Sequence, residues 1–144
     1  MSGTARPGSV SSRGAPFVVG AVVAAATAVV AVADPHDPGR YPLCPLFALT
    51  GLACPLCGGL RATHDLARLD LAGAWSANAL WTVVAPLLVA AWVWWVVRTL
   101  RPGPARAVPG RARIVAGAAI VAAFLIFGVV RNLPGAASVL TPWA

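Results

Sequence analysis

Trp75 to Val97 reads WSANALWTVVAPLLVAAWVWWVV and carries no formal charge. As a helix rising 1.5 Å per residue it is about 35 Å long, enough to cross the roughly 30 Å hydrocarbon core of a bilayer. Its polar residues, Ser76, Asn78 and Thr82, sit near its start. Trp75 and Trp81 stand near one end and Trp92, Trp94 and Trp95 near the other, the two interfacial positions that suit a ring with an apolar body and a polar N–H. Pro86 removes one backbone hydrogen bond and predicts a kink.

Two further runs behave alike. Residues 16–33 are uncharged and mostly Val and Ala, and Asp34 and Pro35 stop them. Residues 112–130 are uncharged past Arg113, and Arg131, Asn132, Pro134 and Gly135 close them. In the first run Gly20, Ala24 and Ala28 recur every four residues, which lets another helix backbone approach, although an alanine-rich chain yields such spacing by chance. That run has a rival reading: Arg6 and Arg13, an apolar stretch and Ala31-Val32-Ala33 also describe a signal peptide with an A-x-A cleavage site. We take it as a retained helix.

Composition agrees with a membrane solvent. Of 144 residues 59% are hydrophobic and 10% charged, against roughly 25% charged in an ordinary soluble domain. The net charge of +7 comes from eleven arginines and no lysine. Those arginines flank apolar runs and do not interleave with aromatics, which argues against nucleic-acid binding and for helix orientation. Arginine without lysine in an alanine-rich chain points to a GC-rich bacterial genome.

Charge asymmetry sets the expected topology. The tail 1–15, read as disordered, and the Pro/Gly/Arg loop 98–111 with Arg113 carry seven arginines and no acid. The remaining four arginines share their segments, 34–74 and 131–144, with all four aspartates. The positive-inside rule then puts the amino terminus in the cytoplasm and 34–74 outside it, in a multi-pass protein of the cell membrane. The expected fold is an all-α membrane protein of three transmembrane helices with a short interfacial or re-entrant cysteine segment.

Residues 34–74 hold every cysteine, histidine and aspartate of the chain. Pro35, Pro38, Gly39 and Pro42 predict a loop, and Leu43 to Ala53 is too short to span. From Arg61 onward, Arg61, Asp65 and Arg68 share one helical face and Ala62, Leu66 and Leu69 another, the pattern of a helix lying on the membrane surface.

Cys54-Pro55-Leu56-Cys57-Gly58 is the sharpest chemical signal. Two cysteines so spaced place both sulfurs on one metal ion or close a disulfide. A structural site needs four ligands; Cys44 and His64 are the candidates to complete a Cys₃His set, with zinc as the candidate ion. A disulfide, Cys54 with Cys57 or Cys44 with either, suits an oxidising compartment and leaves one thiol over. Small buried thiols packed without special role are the third reading, and all three stay open. His36, in a Pro/Asp loop, reads as solvated. Asn78, Arg131 and Asn132 fall near the outer helix ends, where capping or headgroup contacts are expected.

These residues together resemble an uncharacterised bacterial membrane family, the domain of unknown function 2752. The likeness runs through Tyr41-Pro42-Leu43-Cys44-Pro45, then Leu49 to Gly58, Arg61-Ala62, Asp70, Ala74, Asn78 and Arg131 to Gly135. The family pattern is close to C-P-x-C-G-x-T-R-A, then G-D and N-P. This chain departs from it at Leu60 for threonine, Leu69 for glycine and Ala79 for proline. The resemblance implies a small multi-helix membrane protein and no reaction. The functional expectation is a structural or accessory membrane component with a cysteine-stabilised outer cap, its partners the bilayer and other membrane proteins or further copies of itself. The alternative is a metal-binding or thiol-redox membrane protein. An enzyme is the less expected class.

Overall fold

Helix α1 (Ala15–Val32), α4 (Leu71–Leu100) and α5 (Gly110–Val130) are each long and apolar enough to cross a membrane. Between α1 and α4 lie two short helices, α2 (Pro45–Thr50) and α3 (Gly59–Ala67). No strand occurs among the described residues, which in this computed structural model are 14–37, 39, 41, 44–101, 109–136 and 140. The amino-terminal tail, residues 102–108 of the basic loop and most of the carboxyl tail beyond Ala136 lie outside that set, as do Pro38, Pro42 and Leu43. The disordered reading of the tail and the loop reading of 102–108 therefore fall outside the described residues.

The second long helix begins four residues ahead of the expected Trp75, because Asp70 caps it: its carboxylate accepts from the N–H of Gly73 at 2.9 Å. Gly73 makes room for this, since a Cβ there would lie 2.5 Å from Asp70 Oδ2. The helix then breaks at Asn78 (φ −161°, ψ 99°), while Pro86, where a kink is expected, keeps helical backbone angles. Asn78 acts as a second N-cap inside α4, its Oδ1 accepting from the N–H of Trp81 at 2.9 Å. The membrane-crossing helix proper thus starts after Asn78, and 71–77 form a separate foot.

Helix α3 folds back on that foot. Ala62, Ala74 and Ala77 form the buried contact, with Leu66 and Trp81 packed around it. Small side chains allow the two backbones to come close, and the Trp81 indole N–H donates to Thr63 Oγ1 at 2.8 Å. Helix α3 packs against α1 and α4 with Ala62, His64 and Asp65 buried, so the face shared by Arg61, Asp65 and Arg68 is partly covered.

Helices α1 and α4 run antiparallel. The Trp92 indole N–H, in the second half of α4, donates to Pro16 O at the start of α1 at 2.8 Å. Gly20 sits under that indole; a Cβ there would run into the Trp92 ring. The small-residue position thus admits a tryptophan ring. At the opposite end of α1, side chains of α3 satisfy the last-turn carbonyls that a helix leaves without partners. His64 Nδ1 meets Val30 O at 2.8 Å, and Arg68 donates to Ala31 O at 3.3 Å.

The contacts described for α5 lie in its last turn. Pro55 packs on Gly128, where a Cβ would be 3.1 Å from the proline ring. The end of α1, the foot of α4 and the end of α5 therefore meet one cap, residues 33–70. Away from it the helices expose their apolar side chains: Leu87, Val121 and Leu125 are each about 60% exposed. A bilayer supplies the apolar surroundings such faces require.

Candidate functional site

The cysteine loop is a tight turn. The Cys57 N–H donates to Cys54 O at 3.0 Å and the Gly59 N–H to Leu56 O at 2.8 Å. Gly58 takes the left-handed conformation (φ 80°) that ends the turn and starts α3, which favours glycine there. The Cys54 N–H points at Cys57 Sγ (3.2 Å), and the Sγ atoms of Cys54 and Cys57 are 3.0 Å apart.

Cys44 caps the start of α2, and its Sγ joins the other two. The three sulfurs lie within 4.8 Å of one another. All are free thiols. Two thiolates on one zinc stand about 3.8 Å apart and disulfide sulfurs about 2.05 Å, so either chemistry lies within a small movement. The backbone N–H of Phe47 stabilises the Cys44 thiolate and lowers its pKa to about 7, whereas burial and the neighbouring thiols push Cys57 up to about 12. Of these two, Cys44 is the more acidic thiol.

Three polar residues from the helix ends grip this loop. Asn78, fully buried, donates to Pro55 O at 2.9 Å and Cys57 O at 3.0 Å. Arg131, also fully buried, donates to Cys54 O at 2.9 Å, Cys57 O at 3.1 Å and Leu140 O at 3.1 Å. Its guanidinium stacks over Phe127, 5.1 Å from the ring centre. The Asn132 amide pairs with the backbone of Ala53 in both directions, at 2.9 and 2.8 Å, and donates to Gly128 O at 2.7 Å. Asn78 does cap a helix, but buried Asn78 and Arg131 do not reach headgroups as their positions suggest. Their donors go to backbone carbonyls of the cysteine loop and of Leu140. Arg61 Nε donates to Pro35 O at 3.3 Å and Asp70 caps α4, so both family-pattern residues brace the cap.

The candidate Cys₃His set divides between two groups: the three thiols lie together, and His64 lies with Asp34 and His36. His64 is 4% exposed and gathers with Asp34 and His36, their ligand atoms within 4.8 Å of one another. His36, expected to be solvated, is half-exposed and sits 2.9 Å from Asp34 Oδ1 through Nδ1 and 3.6 Å from Asp65 Oδ2 through Nε2. His64 Nε2 lies 3.7 Å from Asp34 Oδ1, and the imidazoles meet edge to face at 5.7 Å. Bonding to His36 holds the Asp34 carboxyl below its ordinary value, whereas burial raises Asp65. Asp34, His36 and Asp65 escaped sequence reasoning as a group; the one available signal was that all acids and histidines fall between residues 34 and 70.

No curated protein and no solved structure matches this chain. The family match is narrower than the resemblance, leaving Arg131 to Gly135 outside it while taking in all three cysteines and Asn78. Residues 44–92 match the family described as "Protein of unknown function (DUF2752)".

Proposed function

We propose that this protein is a structural or accessory component of a cell membrane, with the amino terminus in the cytoplasm and a thiol-stapled cap on the outer face. One observation carries the reading. Asn78 and Arg131, both fully buried, aim five hydrogen bonds at backbone carbonyls, four of them in the cysteine loop. Buried donors so committed fix the shape of the loop more than they activate a group in it. The contacts of α1 with Trp92, His64 and Arg68 favour its retention over cleavage as a signal peptide. The apolar faces of α4 and α5 suit lipid, another membrane protein or a second copy.

A thiophilic metal or redox role is the second reading. A disulfide staple needs two sulfurs, and Cys44, whose thiol is held below its ordinary value, makes a third.

Two experiments test these readings. All three cysteines lie in the cap, so a membrane-impermeant maleimide applied to intact cells should label Cys44; labelling only after lysis overturns the orientation. An intact native mass without reductant should read two hydrogens below the reduced chain if the staple is a disulfide. A mass raised by one ion, lost in Cys54→Ser and Cys57→Ser, moves the second reading to first place.

A further inference from the structure

The four side chains Asp34, His36, His64 and Asp65 pose a proton-count problem. The Val30 carbonyl can only accept, so His64 Nδ1 carries its proton and donates at 2.8 Å. His64 Nε2 is then a bare lone pair facing a carboxylate oxygen, Asp34 Oδ1, at 3.7 Å. Two acceptors then face each other.

The Asp65 side chain is 8% exposed, and its Oδ2 has no hydrogen-bond partner. A buried carboxylate oxygen left so is costly. It points at His36 Nε2 across 3.6 Å, too far for a good hydrogen bond but directed at one. If His36 donates from Nε2 to Asp65, its Nδ1 becomes a second lone pair, 2.9 Å from Asp34 Oδ1.

We propose that Asp34, His36 and His64 form a binding site for a divalent transition-metal ion of the zinc class, separate from the thiols, with Asp65 orienting His36. The ion would accept from His36 Nδ1, His64 Nε2 and an Asp34 oxygen; one ligand atom from each of these residues already lies within 4.8 Å of the others. His36 Nε2–H then donates to Asp65, the carboxylate–histidine–metal arrangement that fixes a ligand's tautomer. His64 is fixed in the same way through Val30. One cation thus relieves both acceptor clashes and gives the orphaned oxygen a donor. Two imidazoles and a carboxylate suit zinc and its neighbours. The site also lies at the carboxyl end of α1, where the helix dipole favours positive charge. A three-ligand set leaves a position for water or another ligand.

Co²⁺ titration of the full chain in detergent tests this, because sulfur ligands give thiolate-to-cobalt charge-transfer absorption and nitrogen or oxygen ligands do not. The expected result is one equivalent per chain without that absorption, displaced by Zn²⁺. His36→Gln, at a half-exposed position, and Asp34→Asn should abolish that equivalent while helix content and thermal unfolding stay unchanged. Asp65→Asn should weaken it by about 10- to 100-fold. Absence of a non-sulfur equivalent in the wild type, or its persistence in both His36→Gln and Asp34→Asn, overturns the proposal. A cobalt spectrum of sulfur type alone assigns the metal to the cysteines and overturns it equally.

Discussion

The cap holds two groups of potential ligands, the thiols of Cys44, Cys54 and Cys57 and the Asp34/His36/His64 set, and they are anchored differently. The thiol loop is held from outside by Asn78, Arg131 and Asn132, whose donors go to backbone carbonyls and leave the sulfurs unengaged. The imidazole group is held from within: its own side chains face one another, and only His64 is tied to a helix, through Val30. External clamping fixes a loop whatever the state of its sulfurs. Mutual facing leaves the second group dependent on a proton or an ion to balance its acceptors.

The sharpest way to break that contrast is Arg131→Met. Three carbonyls lose a charged donor at once, which should cost about 3 kcal/mol or more. Thermal unfolding in detergent measures the loss, and maleimide labelling should show Cys57 becoming reactive. Equal disturbance at His64, read by its proton chemical shift, would mean that the two groups form one unit.

A smaller effect is expected for Asn78→Ala. It removes the internal cap of α4 and leaves Pro55 O and Cys57 O short of a donor, about 2–3 kcal/mol together. Asn78→Asp should keep the cap and lose the loop contacts, so its stability should fall between Asn78→Ala and the wild type. Wild-type stability in Asn78→Asp would show that capping alone explains Asn78.

The smallest effect is a pH profile. Cys44 should alkylate with a midpoint near pH 7 while Cys57, at about 12, stays protonated and unreactive through the neutral range. Because the Cys44 value falls below its ordinary 9.0, the stability this adds is complete above that value and is lost as the pH drops through about 7. Equal reactivity of Cys44 and Cys57 would show the thiols to be freer than their surroundings imply.

Much of the scaffold was legible beforehand, for a local reason. Uncharged runs long enough to cross a bilayer announce themselves by composition, and the C-x-x-C spacing with a following glycine announces a turn that gathers sulfurs. The amphipathic pattern beginning at Arg61 carries no information about what covers the helix. Alanines at 62, 74 and 77 look the same in sequence whether they face lipid or another backbone, and here they are the core.

The sequence by itself determined that the chain needs an apolar solvent, where its long helices run and that two of its cysteines neighbour each other. Hydrophobicity and short-range spacing are properties of adjacent residues. Only the tertiary structure decided that Asn78 breaks α4 and not Pro86, that Arg131 reaches back 77 residues to Cys54, and that His64 joins Asp34 and not the thiols. Those outcomes depend on which buried carbonyls and carboxylates lack a partner once the helices have met. That demand arises only when water is excluded from the cap.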